Sequence, residues 1–328
     1  MSAVNVIAEV GMTHDGSLGH AIRMAEVAAE CGVDAVKFQL HDAEAETTRD
    51  APSPPYFKDE TRWEYFERTA FTDDQWARLK GACEAAGIEF LCSAFSTSAV
   101  ERLERIGVSR YKVGSGEVTN LELVRAAAAT GKPVLLTSGM SSWKELDAAV
   151  AVAGDDVTVL QCTSQYPTPS ERVGLNVLAQ LRERYGKPVG FSDHTLGNYA
   201  AFAAVTLGAT VVEKHFTLSR DLYGADARFA TEPLEFEDLV DGIRELETML
   251  ANPVDKDDLE PFAEMKQVFE KSVVSTREIP AGAEISREMV AAKKPGTGKP
   301  ARLLPEIVGR TARTSIPADT VITEDLLA

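Results

Sequence analysis

Short apolar or β-branched runs alternate along this chain with longer stretches in which Ala, Leu, Glu and Arg recur at helical spacing. The runs end at Glu9, Gln39, Ser93, Gly114, Ser138, Cys162, Asp193 and His215. Helical patterns lie between them, for example over residues 20–31, 73–86, 121–130 and 143–152. Several runs are announced by a glycine a few residues ahead (Gly32, Gly87, Gly107, Gly131, Gly208), where a helix would end in a left-handed cap. Strand-length runs that alternate with helices predict an α/β architecture with a parallel sheet, and eight of them predict a (β/α)8 TIM barrel.

Two departures from the alternation define the remaining organisation. The connection over residues 40–72 is too long for a simple turn and carries Pro52, Ser53, Pro54, Pro55 and Tyr56, then Trp63, Glu64, Tyr65 and Phe66. An insertion after a barrel strand lies on the active-site face, so it is expected to form a lid or a wall of the site. The last helical pattern, residues 236–250, gives way to a polar, Pro-containing stretch and then to short β-like runs broken by Pro and Gly. Ile279-Pro280-Ala281-Gly282 and Ile316-Pro317-Ala318-Asp319 look like two copies of one unit. The expected organisation is a barrel over residues 1–251, a linker over 252–270 and a small β-rich domain over 271–328.

The 51 acidic residues exceed the 34 basic ones, for a net charge of −17, which argues against a nucleic-acid or membrane-surface partner. An anionic substrate would need a local basic pocket. Cys31, Cys83, Cys92 and Cys162 form no CxxC pair, as expected of reduced cytoplasmic thiols. The first ten residues have no basic region followed by an apolar stretch, and no apolar run approaches membrane-spanning length.

The carboxyl ends of barrel strands are where chemistry is expected. Read that way, the mouth holds Glu9, His14, Lys37, Gln39, Ser93, Lys112, Ser115, Glu117, Ser138, Thr163, Ser164, Tyr166, Ser192, His194 and His215. His194 and His215 close equivalent runs and could share one metal ion, or could serve only as hydrogen-bonding residues at strand ends. Lys37 and Lys112 among several hydroxyls suit a phosphate or carboxylate, with buried salt bridges to Glu9 or Glu117 as the plainer alternative. Gly114-Ser115-Gly116 and Ser138-Gly139 add backbone N–H groups at close approach, and Glu9 and Glu117 are candidate acid/base groups.

In this order the motifs Ile7-Ala8-Glu9-Val10-Gly11, Lys37-Phe38-Gln39, Tyr111-Lys112-Val113-Gly114-Ser115-Gly116-Glu117, Cys162-Thr163-Ser164 with Tyr166-Pro167-Thr168-Pro169, Ser192-Asp193-His194-Thr195 and Glu213-Lys214-His215-Phe216-Thr217 resemble the sialic acid synthase family. Pro280-Ala281-Gly282 and Lys294-Pro295-Gly296-Thr297-Gly298 resemble its antifreeze-protein-like (SAF) domain. The resemblance implies condensation of phosphoenolpyruvate with the open-chain aldehyde of an aminosugar, N-acetylmannosamine or a related hexose, to a nine-carbon 2-keto acid. It implies a divalent metal, manganese or magnesium, on His194 and His215. It maps substrate binding onto Lys37, Gln39, Ser93, Lys112, Ser115, Thr137 or Ser138, Ser164, Ser192 and Lys294, and catalysis onto Glu9, Glu117, Tyr166 and Asp226. It further implies a domain-swapped homodimer in the cytoplasm.

The chain departs from the family pattern on the sugar side. Thr13 stands where the family has Asn, Ala225 where it has Pro, and Lys294 where it has an arginine that meets the N-acetyl group. Lysine does not reproduce a planar two-point contact, so the acceptor is expected to differ. The competing classes are the same condensation on a non-sialic acceptor, a lysine-based aldolase using Lys37, Lys112 or Lys214, and a silent binding protein.

Overall fold

A computed structural model describes residues 3–53, 60–224 and 226–328. It divides the chain into two compact units, Met1–Asn252 and Pro253–Ala328.

In the first unit eight parallel strands close into a barrel in sequence order. They are β1 (Asn5–Gly11), β2 (Ala35–Leu40), β3 (Glu89–Ala94), β4 (Tyr111–Val113), β5 (Val134–Thr137), β6 (Val157–Cys162), β7 (Val189–Asp193) and β8 (Val211–His215). Each strand ends within a residue or two of its expected end. Side chains alternate between the interior of the barrel and the helical shell. The outward set, such as Val6, Ala8, Val36, Phe38 and Phe90, packs against helix residues including Met24, Leu79 and Leu103 in the main core. The inward set begins with an apolar floor of Ile7, Ala35, Leu91, Leu135, Leu160 and Val211.

Two residues further along the same strands the inward positions are Glu9, Lys37, Ser93, Thr137, Cys162 and Glu213, joined by Lys112 of β4 and Ser192 of β7. Strand register keeps these positions together, with Glu9 opposite Lys37 and His215, Ser93 opposite Lys112, and Ser192 opposite Glu213. The site is therefore a layer of the barrel interior laid on a buried apolar plug.

Helix starts follow local chemistry. Thr61, Thr72 and Ser142 each close a capping box with the Glu or Gln three residues on. Gly107 and Gly186 end their helices in the left-handed region. In the long connection after β2, Pro54, Pro55 and Tyr56 lie outside the described residues, while helix Arg62–Thr69 covers its aromatic segment.

The second unit has its own core of Val273, Ile279, Ile285, Val290, Ile307, Ile316, Ile322 and Leu327. Strands β9 (Ser272–Ser275) and β10 (Val290–Lys293) pair antiparallel. The two Ile-Pro-Ala copies bridge each other: Ile279 N–H donates to Ile316 O at 2.8 Å, and Ile316 N–H donates back at 2.9 Å. Residues 252–270, expected as a linker, include a short helix, Ala263–Phe269. No helix among the described residues is long and apolar enough to cross a membrane, and all four cysteines are free and buried.

Candidate active site

Above the apolar floor the barrel opens into a cavity of about 480 Å³. Its walls are Glu9, Lys37, Gln39, Ser93, Lys112, Ser115, Thr137, Ser164, Tyr166, Ser192, His194, Glu213, His215 and Asp226, with Arg62, Phe95 and Met140 towards the outside.

The centre is an alternating charge network. Lys112 donates to both carboxylate oxygens of Glu213, at 2.7 and 2.6 Å. Lys37 lies 2.7 Å from Glu9 Oε2, 3.6 Å from Glu213 Oε1, and donates to Ser93 Oγ at 2.9 Å. Burial would push the Glu213 carboxyl up, but Lys112 and Lys37 outweigh it and hold the group at about 2. Burial dominates at Glu9, whose pKa is raised despite Lys37. Burial also lifts Asp226, to about 6, with Glu9 adding repulsion. Two carboxyls with differing partners in one cavity are the usual substrate for acid/base work.

Two glycines show how closely these groups converge. Gly11 adopts φ +55°, and a Cβ there would sit 3.2 Å from Asp226 Oδ2, 3.3 Å from Gln39 Nε2 and 3.3 Å from Glu9 Oε1. A Cβ on Gly139 would fall 2.5 Å from Ser164 Oγ and 2.6 Å from Ser115 Oγ. The second is a cradle of two hydroxyls over bare backbone, a surface suited to phosphate oxygens.

His194 and His215 face the same cavity with ring centroids 5.4 Å apart, and the Tyr166 ring lies 4.2 Å from that of His194. Nδ1 of His194 is 2.8 Å from the Thr163 carbonyl, so it carries a hydrogen and Nε2 is the nitrogen open to a ligand; burial lowers the pKa of this ring, but the Cys162 sulfur and the Thr163 carbonyl outweigh it and the pKa is raised. His215 is held well below its usual pKa by burial, then by His194 and Lys37, and its buried Nδ1 has no hydrogen-bond partner among the described residues. A neutral His215 with an orphaned ring nitrogen, beside a His194 whose proton a cation would displace, fits a divalent cation. Among the described residues no group of three or more His, Cys, Asp or Glu gathers as a closed metal site, so a cation here would draw further ligands from water or substrate.

The NeuB family model matches residues 24–255, and the SAF domain model matches residues 270–328. The chain belongs to the NeuB family. It is 34% identical to the human N-acetylneuraminate-9-phosphate synthase, over 98% of this chain and 92% of the relative. It is 31% identical to the N,N'-diacetyllegionaminic acid synthase of Legionella pneumophila, over 97% and 92%. A crystal structure of N-acetylneuraminic acid synthetase from Leptospira borgpetersenii superposes with a TM-score of 0.72 at 28% identity, covering 81% of this chain and 92% of that one. Like these NeuB relatives, the chain is an enzyme of the synthase kind.

Most of the residues singled out in the sequence converge in this NeuB-type barrel, and a few do not. Ser138 is inverted by strand alternation: Thr137 faces the cavity, while the Ser138 hydroxyl donates to Gln161 Oε1 at 3.2 Å. Glu117 stands on the turn Ser115–Glu117, just past the cavity-lining Gly116, with its carboxylate accepting from Asn120 Nδ2 at 3.0 Å and its pKa raised by burial. Thr163 donates to the Arg172 carbonyl at 2.7 Å instead of facing the cavity. His14, expected in the mouth, is instead a core residue stacked 4.6 Å from Phe71. Lys294 belongs to the second unit, where its ammonium lies 5.0 Å over the Phe269 ring; Ala225 lies outside the described residues.

Lys214 also turns away from the cavity. Its ammonium is held by Asp193 Oδ2 at 2.7 Å and by the carbonyls of Thr195 and Gly197 at 2.6 and 3.0 Å. With Lys37 and Lys112 likewise ion-paired, none of the three lysines is poised as a free amine nucleophile. Glu213 does not stand out among the strand-end residues because it lies two positions before the end of β8. An inward His215 makes Glu213 inward and Lys214 outward, so strand parity would have found it.

Proposed function

We propose that this enzyme condenses phosphoenolpyruvate with an open-chain aldose to a 2-keto sugar acid of the nonulosonate class, with release of phosphate. The observation that carries the reading is the hydroxyl cradle of Ser115 and Ser164 over Gly139, in one cavity with Lys37, Lys112, His194 and His215. The cradle takes the phosphate, and the lysines take the remaining negative charge of phosphoenolpyruvate.

A bond forms between C3 of phosphoenolpyruvate and the aldehyde carbon, water adds at C2, and the bond from C2 to the phosphate oxygen breaks. His194 and His215 would hold a manganese or magnesium ion, which supplies Lewis acidity at the aldehyde oxygen. Glu9 and Asp226, side by side at Gly11, are placed to move the acceptor's protons, and Tyr166 to orient the acceptor over the histidines. Glu117, at the cavity edge, would take a proton from the water that adds at C2.

N-acetylmannosamine and diacetamido-dideoxy hexoses are the candidate acceptors, with Lys294 as a determinant of preference. We further propose a cytoplasmic homodimer, which light scattering on the full chain would read. The deciding assay is phosphate release from phosphoenolpyruvate with manganese across free and 6-phosphorylated aldoses. Aldose-dependent release names the acceptor; no release with any of them, from protein that binds both manganese and phosphoenolpyruvate, overturns the reading.

A further inference from the structure

We propose that His41 is a positioning residue, which fixes the Gln39 amide so that its NH2 group holds Glu9 in the cavity. The proposal rests on the reading of Glu9 as a working group of the synthase site.

His41 directly follows β2 and is 9% exposed. Its ring is clamped between Phe66, centroid 3.9 Å away at 7°, and Phe95, 4.2 Å away at 18°. Neither face can turn without breaking a stack. Nδ1 lies 2.8 Å from Glu46 Oε2, and Glu46 is itself anchored by the Asp42 backbone N–H. Nε2 lies 3.0 Å from Gln39 Oε1, and Gln39 Nε2 donates to Glu9 Oε1 at 2.7 Å.

Donor and acceptor bookkeeping gives the line of contacts a direction. An ionised Glu9 only accepts, so the amide must offer it the NH2 end and point its carbonyl at His41. The carbonyl only accepts, so Nε2 must carry a hydrogen. The opposite ring nitrogen faces Glu46, and whichever of those two groups holds the proton between them, Nε2–H is retained. Without that hydrogen the amide would turn over and press its oxygen against the Glu9 carboxylate. The other oxygen of Glu9 has Lys37 at 2.7 Å, so the two contacts together fix the carboxylate beside Gly11 and Asp226. A residue that never lines the cavity thus sets the aim of one that does.

Phenylalanine at position 41 keeps the aromatic stack and deletes only the hydrogen bonds, which separates positioning from packing. Ring 15N spectra of the resting full-length protein are expected to show a hydrogen on Nε2. The 13C carboxyl signal of Glu9 is expected to move in His41→Phe and to stay still when the same change is made in a Gln39→Leu background. In the phosphate-release assay, His41→Phe should lower kcat roughly 10- to 100-fold with a smaller change in KM. The double variant should be no worse than Gln39→Leu alone.

An unprotonated Nε2 overturns the proposal, as does a Glu9 signal that responds to His41 without Gln39, or independent, multiplying losses in kcat. If His41→Phe does not fold, Glu46→Gln keeps the ring and tests the same dependence on Gln39. Absence of aldose-dependent turnover in the unaltered enzyme would sink the synthase reading, while the resting-state spectra would still decide whether His41 acts on Glu9 through Gln39.

Discussion

Lys112 is gripped by both oxygens of Glu213, at 2.7 and 2.6 Å, inside the barrel and away from solvent. The pair joins β4 to β8 through the interior, and Lys37 leans on the same carboxylate from β2 at 3.6 Å. Removing one partner of such a pair leaves a buried charge uncompensated, at a cost of roughly 3–5 kcal/mol. Glu213→Ala should therefore show a loss of that size in urea unfolding, and adding Lys112→Met should recover part of it. Equal stability of Glu213→Ala and the unaltered protein would mean that the pair contributes nothing.

The same carboxylate contributes to acid sensitivity. Its folded pKa of about 2 lies below the ordinary 4.5, so the stabilisation is fully present above 4.5 and is lost as pH falls through about 2. Stability followed from pH 5 down to pH 2 should drop less steeply in Glu213→Gln. Parallel curves would show that the group is not preferentially ionised in the fold.

The Gly139 cradle gives a binding prediction without touching any polar group. A methyl at this position would meet the Ser164 and Ser115 hydroxyls at 2.5 and 2.6 Å, closer than such contacts can be, so both must move. Gly139→Ala should weaken phosphoenolpyruvate binding by at least about tenfold, equivalent to ~1.4 kcal/mol, while the melting temperature changes little. Unchanged affinity by calorimetric titration would place the phosphate elsewhere in the cavity.

The histidine pair predicts metal dependence. His194→Ala and His215→Ala should each lower bound manganese in elemental analysis and abolish turnover, and thorough chelation of the unaltered enzyme should do the same until metal is restored. Full activity after chelation would leave the two imidazoles with a purely polar role.

What the sequence revealed and what it hid divides along one physical line. Strands and their order were legible because eight apolar runs of strand length alternate with helical patterns, and both histidines stood out because each closes such a run. The direction of each side chain was readable too, but only by counting inward positions from a fixed point: this finds Glu213, turns Lys214 outwards and exchanges Ser138 for Thr137. Arg62 could not be found that way. It reaches the cavity from helix Arg62–Thr69, after a long connection whose path no period describes. His41 was equally hidden, since its contacts depend on Phe66 and Phe95 from two other segments.

His14 shows the same limit from the other side, because it follows β1 closely enough to be read as part of the mouth yet packs on Phe71 at 4.6 Å. Nδ1 accepts from the Gly16 N–H at 3.1 Å, and the buried Nε2 has no partner among the described residues. Burial, followed by His20 and His41, lowers its pKa from 6.5 to about 3. The unfolded chain therefore takes up a proton here before the folded one does. Stability contributed by the neutral ring is present above pH 6.5 and is lost as pH falls towards 3. Replacing His14 with Phe keeps an aromatic ring against Phe71 and removes both the titration and the orphaned nitrogen. Urea midpoints of His14→Phe should fall less between pH 7 and pH 5 than those of the unaltered protein. An identical fall in the two proteins would show that His14 takes up its proton without unfolding.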